Sequence, residues 1–252
     1  MINQSSYLDL NALKGFKPIS LAEMDEVRLM NRNDTKFVFK RSDLAVFLKK
    51  LSPSYRVLTI EGVSASTYNT LYFDTQNFQF YLDHHNGKGN RYKVRIRNYQ
   101  ESDLFFLEIK NKYKGRTLKN RISLSDFQLE LSEKSNAYIE AAIGEAIPLE
   151  AKLWNKFRRI TLVSNSDNER LTLDLDLNFK WEKKVINYSD IVVAELKQEY
   201  ANRNSVFYNL MKENLIREHS MSKYCIGALG IYPNLKYNNF KDKIRTIEKL
   251  IE

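Results

Sequence analysis

The chain has 252 residues, 43% apolar and 12% aromatic, which is ample for a large core and incompatible with a disordered chain. Lysine and arginine total 40 against 31 acidic residues, a formal net charge of +9, so the expected partner is an anion: nucleic acid, a phosphate-rich small molecule or an acidic surface. No stretch approaches the roughly 18 apolar residues of a membrane span, the opening "MINQSSYLDLNALKGF" lacks the apolar run of a secretory signal, and the single cysteine, Cys225, excludes an intrachain disulfide framework, so a cytoplasmic address is expected.

The spacing of Leu21, Met24, Val27 and Leu29 predicts a short helix within 20–32. "DTKFVFKR" then reads as a strand, with Lys36 and Val38 on one face and Phe37 and Phe39 on the other. "SDLAVFLKKL" reads as a helix opening at Ser42 and closing before Pro53. Six extended segments follow, "YRVLTIEG", "TYNTLYFDT", "FQFYLDHH", "RYKVRIRNY", "DLFFLEIKNKY" and "TLKNRISLS", with turn signals such as "NGKGN" and Gly115 between them. They suggest an antiparallel meander. A helical stretch over about 125–146 interrupts it before strands resume at "NKFRRITLVS", "ERLTLDLDLNFKW" and "DIVVAELKQEY". The end is helical: "SVFYNLMKENLI", "SKYCIGALGIY" and an amphipathic 236–252. With few Gly or Pro and no linker-like run, 1–252 reads as a single α+β domain with its core over about 20–230.

Alternate residues of a strand share a face. Arg91, Lys93, Arg95 and Arg97 therefore lie together, opposite Tyr92, Val94 and Ile96. The plan repeats with Glu108, Lys110 and Lys112; with Lys119 and Arg121; with Arg170, Thr172, Asp174 and Asp176, opposite Leu171, Leu173, Leu175 and Leu177; and with Glu195, Lys197 and Glu199. One wet face is the ordinary state of an antiparallel sheet. Four cations on one strand nevertheless repel unless an anion lies between them. A closed antiparallel barrel of about eight strands, apolar outside under helices and charged inside, resolves this as a tunnel for a polyphosphate chain. Glu108 and Glu195 are then the candidate ligands of a divalent cation bridging the phosphates. Nucleic acid is disfavoured because the aromatic Tyr92 faces away from the arginines. Adjacent His84 and His85 cannot share a strand face and so do not make a paired metal site, Cys225 reads as a buried small hydrophobe, His219 as a helix-end residue, and the basic C-terminal helix as a solvated amphipathic face.

The stretches "MNRNDTKFVF", "YNTLYFDT", "RYKVRIRNY", "FLEIKNK" with "KNRISL", "ERLTLDLDL", "VVAELK" and "SMSKYCIGAL" resemble, in order, the catalytic domain of the vacuolar transporter chaperone (VTC) polyphosphate polymerases, within the triphosphate tunnel metalloenzymes. The resemblance implies a tunnel of eight antiparallel strands and transfer of the ATP γ-phosphate to a growing polyphosphate chain with Mn2+ or Mg2+. It implies catalytic roles for Lys36, Arg95, Arg97, Lys110, Lys119, Arg159, Arg170 and Lys223, phosphate contacts from Arg91, Lys93, Arg121, Lys197 and Ser222, and metal binding by Glu195 with Glu108. "RNDTK" (Arg32, Asp34, Lys36) departs from the superfamily's E-x-E-x-K, which argues against its thiamine-triphosphatase and adenylate-cyclase branches. A basic residue of the eukaryotic polymerases falls at or near His84, and a tyrosine at Phe157. The expected partners are ATP, triphosphate or polyphosphate. A metal-dependent triphosphatase and a non-catalytic polyphosphate or nucleic-acid binding module are the alternatives.

Overall fold

The computed structural model describes residues 11–26, 33–113 and 116–251, so Arg32 and the end of the helix expected within 20–32 lie outside the described residues. In chain order the elements are β1 (Lys17–Ile19), α1 (Leu21–Glu26), β2 (Asn33–Lys40), α2 (Leu44–Leu51), β3 (Tyr55–Leu58), β4 (Ala65–Asp74), α3 (Gln79–His85), β5 (Arg91–Tyr99), β6 (Leu104–Tyr113) and β7 (Arg116–Leu124). Then follow α4 (Glu133–Ile143), β8 (Glu150–Ser164), β9 (Glu169–Trp181), β10 (Lys184–Tyr188), β11 (Ile191–Gln198), α5 (Val206–Glu213), α6 (Lys223–Ile231) and α7 (Lys241–Ile251).

Eight strands pair antiparallel in the order β2-β11-β9-β8-β4-β5-β6-β7. Only β4 to β7 form the expected meander. The closed barrel is met in part: among the described residues β2 and β7 are the two ends of the run, and no hydrogen-bonded pairing joins them.

Two apolar layers cover the outer face. Phe37, Phe39, Leu171, Leu173, Leu175, Ala194 and Leu196 pack beneath α2 and α5, while Phe73, Val94, Ile96, Leu107 and Ile109 pack with Ile139 of α4. These are the apolar halves of the alternating strands, buried as a sheet with one wet face requires. Ser132 and Ser205 cap α4 and α5, each side chain accepting a backbone N–H three residues on, and Gly144 (φ 96) ends α4 within the longer helical stretch expected there.

The inner face is not charged throughout. Val38, Tyr68, Tyr72, Leu153, Phe157, Leu177, Phe179 and Val193 form a third core there, with α6 packed on them. A β-bulge explains how Leu177 comes to face inward with Asp174. Asp176 adopts the left-handed conformation (φ 53), and the register with β8 passes from Arg158 opposite Leu175 to Lys156 opposite Asn178. The unbroken alternation read over 170–177 is therefore corrected: Asp176 leaves the inner face and pairs with Arg158 (2.6 Å) and Arg41 (3.9 Å). Gly227 lets α6 approach so closely, since a Cβ there would lie 2.3 Å from Phe179 Cδ1.

"FQFYLDHH" is helical, not extended. The Asp74 carboxylate at the end of β4 accepts from the backbone N–H groups of Phe80 (2.8 Å) and Tyr81 (2.9 Å), and Thr75 Oγ1 accepts from that of Gln79 (2.9 Å), so remote acceptors satisfy the first turn of α3. His219 ends no helix either; it lies beyond α5, its N–H donating to the Lys36 carbonyl (2.7 Å).

Candidate anion-binding site

The strand register sets the site. Arg95 of β5 stands opposite Glu108 of β6, which stands opposite Arg121 of β7; one step along, Lys93, Lys110 and Lys119 line up across the same strands. Glu108 is fully buried, and both its oxygens are taken: Arg95 Nε (2.8 Å) and Nη2 (2.6 Å) donate to Oε2, and Lys119 Nζ and Tyr99 OH (3.3 Å) to Oε1. Burial works to raise its pKa, but Arg95, Arg97 and Lys119 hold this carboxyl far below the usual carboxylate range.

Across the inner face Glu195 of β11 sits opposite Lys36 of β2, and Lys197 opposite Asp34. Glu195 pairs with Lys36 (3.3 Å) and with Lys197, which also lies 3.7 Å from Asp34. Next to them Arg159 of β8 grips Asp174 of β9 with two hydrogen bonds (2.5 and 2.8 Å), and Lys223 at the start of α6 binds the same carboxylate. Both Glu195 and Asp174 stay ionised against the effect of burial because two cations flank each.

Among the described residues, the inner-face cations Arg97, Lys110 and Lys93 have no carboxylate within ion-pair distance. Arg97 donates only to Thr70 Oγ1 (3.3 Å) and lies over the rings of Tyr68 (5.3 Å) and Phe157 (5.7 Å). Lys110 makes no hydrogen bond, and the Arg95 charge, burial and Arg97 push its pKa well down. Lys93 donates to Ser222 Oγ (3.0 Å), and burial lowers it to about 8, with Lys36, Arg91 and Arg95 adding to the shift. Ser222 caps α6, accepting from Cys225 N at 3.4 Å, and Cys225 is buried as expected.

The structure thus gathers Lys36, Lys93, Arg95, Arg97, Lys110, Lys119, Arg159, Lys197, Lys223 and Ser222 on one inner face. Arg121 is an exposed outlier lying 4.4 Å over the Phe106 ring, and Arg91 sits at the end of β5, donating to the Lys88 carbonyl (2.6 Å). Arg170 stands opposite Lys197 in the β9–β11 register. The sequence reading left three contributors without a part in the site. Asp174 joins Arg159 to Lys223; the stacked Tyr68 and Phe157 rings (5.2 Å apart, 7° interplanar) underlie Arg97 and Arg159; and Asp74 links α3 to α6 through Tyr224 OH (2.5 Å). Strand alternation put Asp174 on the charged face without giving it this role and could have flagged Tyr68, but the helix contacts of Asp74 leave no local signal.

The two carboxylates expected to hold a metal differ. Glu108 has no exposed surface and no free oxygen. Glu195 keeps 18% of its side chain exposed, and among the described residues no three His, Cys, Asp or Glu side chains gather around it. It can therefore supply one ligand to a cation whose other ligands are phosphate and water oxygens, which is how Mg2+ commonly accompanies a nucleotide. A separate surface pocket lined by Leu129, Trp154, Lys180, Trp181 and Glu182 shares none of these residues.

The family described as "VTC domain" matches residues 31–232. A solved structure of a "putative adenylate cyclase" from Bacillus halodurans is 16% identical, with a TM-score of 0.51 over 77% of this chain and 96% of that one. A Hippeastrum protein described as a "putative adenylyl cyclase" with a dominant triphosphatase activity is also 16% identical, with a TM-score of 0.49 over 82% of this chain and 98% of that one. At such identity the likeness concerns the fold alone. No curated protein matches the chain.

Proposed function

This chain belongs to the VTC domain family, and from that premise we propose that it is a phosphotransferase that moves the γ-phosphate of ATP, taken up with Mn2+ or Mg2+, onto a polyphosphate chain. The observation that carries this reading is the set of inner-face cations without counterions, Arg97, Lys110 and Lys93, beside pairs already neutralised by Glu108, Asp174 and Glu195. A phosphate chain supplies the missing charge. Its oxygens suit guanidinium forks and the point charges of lysines.

In the transfer, an oxygen of the acceptor's terminal phosphate attacks the γ-phosphorus as the bond to the β-phosphate oxygen breaks, and ADP leaves. Arg97, Lys110 and Lys93 neutralise the oxygens of the transferring group and hold donor and acceptor in line. Arg95 and Arg159 are fixed by their carboxylates and keep the wall rigid. Glu195, the partly exposed carboxylate of this face, would supply the protein ligand of a divalent cation, which would lower the charge on the phosphate oxygens. Glu108, Asp174 and Glu195 are weak bases, since each is held ionised by cations. That favours a phosphate acceptor, already an anion, over water, which needs a base.

The test is to incubate the pure protein with ATP and manganese, resolve products on a gel and measure free phosphate in the same tubes. Long chains with ADP support the polymerase. Free phosphate without chains moves the assignment to a triphosphatase, and neither product leaves a binding module.

A further inference from the structure

At the end of the inner face beside α3 and α7, positive charges meet without an acid. Arg91 and Lys93 come from β5, and Lys243 comes from α7, where its Nζ lies 5.4 Å over the Phe240 ring. Among the described residues none of the three has a carboxylate within ion-pair distance; the side-chain hydrogen bonds of Arg91 and Lys93 go to the Lys88 carbonyl and Ser222 Oγ. The same Phe240 ring is 6.0 Å from the imidazole of His84, so His84 and Lys243 gather on one aromatic ring. His84 Nδ1 is buried and has no hydrogen-bond partner. Burial together with the charges of Lys93, Arg91, Lys243 and Lys36 keeps the imidazole neutral, and Arg91 and Lys36 in turn act on Lys243.

The placement of α7 is built, not incidental. Asn239, just before it, donates from its backbone N to His85 Nε2 (3.2 Å) and from Nδ2 to the His85 carbonyl (2.9 Å). Phe240 and Ile247 are buried in the inner core. The helix therefore keeps Lys243 half-buried while Lys241, Arg245 and Lys249 stay exposed. It also lies beyond residue 232, so the family match assigns Lys243 nothing.

We propose that Lys243, with Arg91, Lys93 and the unpaired Nδ1 of His84, forms a second phosphate subsite, which holds the outer phosphates of a chain whose end occupies the cluster around Lys110. The proposal rests on the phosphate-chain reading above and extends it from a triphosphate to a longer polymer. Lys93 joins the two subsites, because it shares the inner face of β5 with Arg95 while facing Lys110 across the ladder. A triphosphate is satisfied at the inner cluster; only a longer chain reaches Lys243.

The experiment is calorimetric titration of the full chain with tripolyphosphate and with linear polyphosphate of several tens of phosphates. Lys243→Ala should weaken the long chain about tenfold, the loss of one charge-assisted contact, and leave tripolyphosphate within about twofold. Lys243→Arg should restore the long-chain affinity, and Lys249→Ala on the exposed side should change neither probe. Matching thermal midpoints of these variants exclude misfolding. Wild-type binding of both probes with no long-chain loss in Lys243→Ala overturns the subsite, as does an equal loss for both probes. If the wild type fails to bind tripolyphosphate at all, the reading of the inner cluster falls and the subsite with it.

Discussion

Two neighbouring arginines of one strand have opposite duties. Arg95 balances the fully buried Glu108, so Arg95→Ala strips a buried carboxylate of its main partner and should destabilise the fold by roughly 3–5 kcal/mol, read from denaturant unfolding. Arg97 makes no direct ion pair with a carboxylate among the described residues, and Arg97→Ala should weaken tripolyphosphate binding about tenfold or more while costing less than about 1.5 kcal/mol of stability. A double substitution confuses the two effects; the single ones separate them. Lys93 contributes to the pH dependence, together with Lys110 and Lys223, whose pKa values burial and neighbouring cations also lower. The Lys93 pKa is held near 8 in the folded protein and is ordinary in the unfolded chain, so between about pH 8 and 10.5 the unfolded chain binds more protons and the stability of the ligand-free protein rises with pH. An anion needs the charged form, so tripolyphosphate affinity loses the Lys93 contribution as pH rises through about 8. Comparing affinity at pH 7 and 9 with that of Lys93→Arg, whose charge persists, isolates it.

At the scale of elements, the strands were legible because their apolar and charged residues alternate, and the same alternation exposed most of the site. Three elements were not. β1 is three residues long and is recruited by parallel pairing with β3, while β10 is a short return against β9. α3 depends on acceptors outside itself, since Asp74 and Thr75 complete a first turn that the local sequence does not specify. Asp74 also binds Tyr224 OH, so one carboxylate sets both α3 and the helix that carries Ser222 and Lys223. Asp74→Asn turns an acceptor into a donor facing donors. It should cost about 1–3 kcal/mol of stability and weaken tripolyphosphate binding, whereas Tyr224→Phe, which loses a single bond, should do less of both; thermal unfolding and titration on the same samples compare them.

Across the whole molecule, the inner face divides into a charged part, to which β2, β5, β6, β8, β9 and β11 contribute, and an apolar part on which α6 and the C-terminal helix pack. Composition announced the positive charge but not this division. The division passes through one residue. Asp176 acts on β9 as an inserted letter acts on a reading frame: the leucines before it point outward, and Leu177 and Phe179 after it point in. Removing the letter leaves both halves in frame, because Leu177 then follows Leu175 on the opposite face and meets Phe157 in regular pairing. Exchanging it does not. Asp176→Val, with a β-branched side chain that resists the left-handed conformation, presses the strand toward a single frame in which Leu177 and Phe179 face outward. Deleting the residue should therefore lower the thermal midpoint less than substituting it, the reverse of the usual order for a residue inside a strand.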